Sequence, residues 1–105
     1  MSPVTPHILT LHIGHIGHIG PSMYRTEVCE GGVQVTDEGM YATISEAIRE
    51  VSRAVPDGLA HFMEVRYCGL SSGTIALSAL PQQADAIADR LVGLLGEMRR
   101  IADGG

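Results

Sequence analysis

His61-Phe62-Met63-Glu64-Val65-Arg66-Tyr67-Cys68 alternates with a period of two, placing His61, Met63, Val65 and Tyr67 on one side and Phe62, Glu64, Arg66 and Cys68 on the other. Successive side chains of a strand point to opposite faces, so this segment reads as a β-strand with one face turned to a core. Gly69-Leu70-Ser71-Ser72-Gly73 reads as a hairpin loop and residues 74–80 as the returning strand. Strands that alternate, rather than being apolar throughout, favour a mostly antiparallel sheet whose helices lie on one face.

Working outward toward the C-terminus, Pro81 suits a first helical position, and Ile87, Leu91, Leu94, Met98 and Ile101 repeat at intervals of four and three up to Gly104. Toward the N-terminus, Thr43 with Glu46 three residues on forms a capping box that opens another helix. Ile44, Ala47, Ile48, Val51 and Val55 share one face of it, and Pro56-Asp57-Gly58 ends it. Before that helix, residues 23–29 alternate, and Gly31-Gly32 predicts a tight turn into residues 33–36. A leading strand over residues 7–13 puts Leu9, Leu11 and Ile13 on one face. The order is β-ββ-α-ββ-α, an α+β fold with a mostly antiparallel sheet of about five strands and two amphipathic helices on one face. Two hairpin-helix units follow one another, without a residue-by-residue repeat between them. The other sheet face is then either solvated or covered by a second subunit.

A chain of 105 residues supports one core, so residues 1–105 are read as a single domain. With one Phe and no Trp, that core is built from aliphatic residues and Met. Seven Arg and no Lys stand against 12 acidic residues, a net charge of −5, which disfavours binding to a nucleic-acid backbone. Without Lys there is also no Schiff-base chemistry and no P-loop. The apolar runs are too short for a membrane span. The absence of a basic start followed by an apolar run predicts a cytoplasmic protein, and two Cys are too few for a disulfide framework.

The unusual segment is His12-Ile13-Gly14-His15-Ile16-Gly17-His18-Ile19-Gly20. Its period of three fits neither strand nor helix, and residues 12–20 are expected to form a His/Gly-rich loop or irregular extension. Imidazoles are common ligands for nickel, zinc and copper, so His12, His15 and His18 are candidate metal ligands. No Cys or acidic residue lies inside the segment, and closing a flexible site costs ordering entropy. A short expansion in a tolerant loop explains the triplets as well. Leu11-His12-Ile13-Gly14-His15 resembles the His-Ile-Gly-His signature of class I aminoacyl-tRNA synthetases. In that family a helix follows the motif and a lysine-bearing motif completes the site. Here Pro21 follows and Lys is missing, so the resemblance is set aside.

The remaining candidates are His61, Glu64 and Cys68, as acid, base or nucleophile of a site between subunits, with Cys29 as a redox thiol or as a partner of Cys68 and His61 on a metal. Ser71 and Ser72 lie in no Gly-x-Ser-x-Gly elbow. With so few catalytic groups, the first expectation is a non-enzymatic binding or assembly module acting as a homodimer or higher homo-oligomer, through the bare sheet face or the long C-terminal helix. A metal-handling protein and a small enzyme with an inter-subunit site are the alternatives.

Overall fold

The computed structural model describes residues 8–17, 23–56 and 58–104. It is an α+β fold. The elements are β1 (Ile8–Ile16), β2 (Met23–Glu30), β3 (Val33–Gln34), β4 (Gly39–Tyr41), α1 (Ile44–Ala54), β5 (Phe62–Tyr67), β6 (Leu70–Ala76) and α2 (Leu80–Gly104). The sheet runs β3-β2-β1-β5-β6, and β4 pairs with β2 beside β3. Every pairing is antiparallel except that of β1 with β5, which is parallel.

The alternation of the leading strand is realised directly, with Leu9, Leu11 and Ile13 at 0%, 0% and 5% exposure. Their neighbours on the same face are Val28 and Thr26 of β2 and Met63, Val65 and Tyr67 of β5. Onto this face α1 lays Ile44, Ala47, Ile48 and Val51, and α2 lays Leu80, Ala84, Ile87, Ala88 and Leu91, so one cluster joins both helices to the sheet. Each large aliphatic side chain taken fully out of water contributes about 1.5–3 kcal/mol. The Thr43 hydroxyl accepts from the Glu46 backbone N–H at 3.0 Å, capping α1 as its sequence predicts.

The two expected hairpins, β2–β3 and β5–β6, lie on opposite flanks of β1, and both helices pack against the same face of the sheet and against each other.

Several boundaries differ from the sequence reading. Residues 12–16 are not a loop but the second half of β1, held by the pairs His12–Glu27, Ile13–Thr26, Gly14–Arg25, His15–Tyr24 and Ile16–Met23. A full row of backbone hydrogen bonds to β2 overrides the weak strand preference of the glycine. The strand over 23–29 makes its long pairing with β1, and its pairing with β3 covers two residues.

The loop expected over residues 69–73 is a two-residue turn, Cys68-Gly69, and β6 starts at Leu70. Both turn residues have positive φ, 51° and 78°, the primed geometry that matches the twist of a hairpin. Residues 77–79 form a 3-10 turn leading into α2 rather than the end of a strand. The expected apolar face of α2 is buried only as far as Leu91; Leu94, Met98 and Ile101 are 39%, 52% and 74% exposed, because α2 outruns the sheet it packs on. Among the described residues, no helix is long and apolar enough to cross a membrane.

Candidate functional site

The face of the sheet opposite the helices carries the polar candidates. Its rows follow from the strand registers. Glu27, His12, Arg66 and Ser71 lie abreast across β2, β1, β5 and β6, and Cys29, Thr10, Glu64 and Thr74 form the adjacent row. On one side of these rows Ile8, Phe62 and Ala76 lie abreast; on the other, Gly14 and the exposed Arg25, whose guanidinium is 3.8 Å from Glu38, precede Ile16 and Met23. Ile8 and Ile16 are 40% and 38% exposed, and both helices pack on the other face, although Cys29 on this one is buried.

Within the polar rows the charges are oriented by neighbours two residues away on the same strand and face. Arg66 Nε lies 3.4 Å from Glu64 Oε1. The Cys29 thiol donates to Glu27 Oε1 at 3.7 Å. Burial pushes the Cys29 thiol above its ordinary value, and the Glu27 carboxylate beside it adds to the shift. That is the reverse of what a reactive thiol needs.

The structure separates the other candidates. His12 and His15 are three residues apart on a strand, so they point to opposite faces. His12 lies exposed between Glu27 and Arg66. His15 lies on the helix face, its ring 5.2 Å from that of Tyr24, which in turn meets Tyr67 edge-on at 6.1 Å. His18 lies outside the described residues. Among the described residues no group of three or more His, Cys, Asp and Glu side chains is placed to hold a metal ion.

His61 precedes β5 and Cys68 follows it, which puts them about 20 Å apart at ~3.3 Å per residue, with Glu64 between. Cys29 lies two strands from Glu64 in the same row. No common crevice gathers His61, Glu64 and Cys68. The serines of the expected loop shape a β-bulge: Ser72 Oγ accepts from the Val65 backbone N–H at 2.9 Å and donates to the Gly73 carbonyl at 2.8 Å, while Ser71 Oγ accepts from the Gly73 N–H at 3.0 Å.

Three features escaped the sequence reading. Burial, reinforced by Cys68 next to it, pushes the Tyr67 phenol up to about 12, against an opposing pull from Arg99. Between the helices, Asp85 of α2 receives the Ser45 hydroxyl and the Arg49 guanidinium, the latter at 3.2 Å. The hydrogen bond from Ser45 is the main cause holding the Asp85 carboxyl below its ordinary range, and Arg49 adds to it. Nearby, a cleft of about 320 Å³ between the start of α1 and α2 is lined by Tyr24, Thr43, Ser45, Asp89 and Val92, and it gathers a single carboxylate. The row of Glu27 and Arg66 around His12 was equally hidden, since its members come from three strands whose pairing no local pattern specifies. Comparison with known proteins finds no matching family model, no matching curated protein and no matching solved structure, so the reading of this face rests on its own residues.

Proposed function

We propose that this protein is a non-enzymatic assembly module of the cytoplasm that works as a homo-oligomer. The observation that carries the reading is the helix-free sheet face, whose apolar ends hold Ile8, Phe62, Ile16 and Met23 around a polar middle. A sheet face kept for water carries polar side chains along its whole length, whereas apolar groups framing a few fixed charges are the pattern of a contact surface. The polar groups available for catalysis are instead spread along β5 or engaged in shaping the bulge and the helix pair. The two cysteines are free thiols, which fits a reducing compartment.

The test is sedimentation velocity on the untagged protein across a concentration ladder up to the millimolar range. A dimer or larger assembly of defined mass is the expected result. A monomer at every concentration overturns the reading.

A further inference from the structure

We infer that the helix-free face docks on the same face of a second copy across a two-fold axis running along β1, with Glu27 of each copy set against Arg66 of the other. The inference rests on the reading that the chain associates with itself, and it adds the surface and its geometry.

The argument is one of register. A two-fold relating two sheets stacked with aligned strands lies in the plane between them, either along the strands or across them. In the first case each strand position is reflected across β1, so β2 of one copy faces β5 of the other at the same height. Glu27 and Arg66 flank His12 in a single row, one on each side of β1, so each Glu27 then meets an Arg66. In the second case, with the axis through the same row, the strands keep their sides and reverse their height. Glu27 then meets Glu27 and Arg66 meets Arg66. Like charges facing each other in a desolvated contact are strongly unfavourable. An across-strand axis midway between the two polar rows sets Arg66 against Glu64 instead, but it lays Ile8 over Gly14 and separates the apolar ends, so charge and apolar matching together select the axis along β1.

The rest of the face agrees with that choice. Side chains of β1 lie on the axis and meet their own copies, which stacks Ile8 on Ile8 at one end and Ile16 on Ile16 at the other, with Thr10 and His12 between. The axis keeps the two sets of strands nearly aligned, the common way for twisted sheets to stack about 10 Å apart. Arg66 already holds Glu64 on its own strand, so in the pair its guanidinium lies between two carboxylates and its fork of donors is shared.

The experiment uses two charge reversals, Glu27→Arg and Arg66→Glu, made singly in the full chain. Each homodimer of a single variant contains two like-charge contacts, whereas a mixed dimer of the two variants contains none. Sedimentation velocity is expected to show each variant alone dimerising at least about tenfold more weakly than the parent chain. An equimolar mixture recovers the dimer, and so does a chain carrying both reversals. That last variant also guards against one reversal acting through misfolding, as do circular dichroism spectra of each. If either single variant dimerises as the parent does, or if neither the mixture nor the double variant recovers the dimer, the docking geometry is overturned while self-association stands. If the parent chain is monomeric throughout, the geometry and the reading beneath it fall together.

Discussion

Cys68 and Gly69 share the left-handed backbone of the β5–β6 turn, at φ of 51° and 78°. Glycine adopts that region freely. A residue with a Cβ is strained there by roughly 1–2 kcal/mol, and Asn less than most. Cys68→Asn is therefore expected to raise stability by about 1 kcal/mol, and Cys68→Val to lower it by a similar amount or more. Urea unfolding midpoints at constant slope check both.

Asp85 links the helices through Ser45 and Arg49, and its carboxyl is held below the ordinary range. A group whose folded value is depressed contributes stability that is complete above its unfolded value and lost as pH falls through the folded one. Stability should thus decline below pH 3.8, the ordinary value, with a component that Asp85→Asn removes. The carboxylate is largely exposed and screened by solvent, so this component is small. Thermal melts of both proteins across the acid range decide the point.

Tyr67 behaves oppositely at the alkaline end. Its phenol ionises at about 10 when unfolded and about 12 when folded, so above pH 10 the unfolded chain loses protons that the folded chain keeps. Stability falls between pH 10 and 12, and Tyr67→Phe flattens that decline. Chemical unfolding at stepped alkaline pH, together with the ultraviolet titration of the phenols, shows whether the slope belongs to this residue.

His12 and His15 occupy identical places in consecutive triplets and opposite faces of one strand. His15→Ala removes the ring contact with Tyr24 and should cost about 0.5–1.5 kcal/mol. His12→Ala, at a position exposed like His15 but outside the aromatic contact, should change the unfolding free energy of the monomer by less than about 0.5 kcal/mol. Equal effects of the two substitutions would contradict this division.

Along α2 the spacing of four and three runs unbroken through Leu91, Leu94 and Met98, yet Leu91 is fully buried and Met98 half exposed. Leu91→Ala should cost about 2–5 kcal/mol at any protein concentration. Met98→Ala should cost next to nothing in the monomer. A Met98→Ala penalty that grows with protein concentration would reveal a partner for the outer half of the helix.

Periodicity and capping are local, and what depends on them was legible in the sequence. Alternation at Leu9, Leu11 and Ile13 specified the buried side of β1, Thr43 the start of α1, and Gly31-Gly32 a tight turn. The order of hairpins and helices specified an α+β domain. What the tertiary structure decided is non-local. The parallel pairing of β1 with β5 joins segments some fifty residues apart. It was chosen by the common burial of Leu9, Leu11 and Ile13 with Met63, Val65 and Tyr67, which no pattern within one strand expresses. The same pairing lifted the His-Ile-Gly triplets into a strand of period two, sending His12 to the bare face and His15 to the aromatic cluster. It also set Glu27 and Arg66 on either side of His12, because opposite charges on separate strands become neighbours only when the strands have found their register.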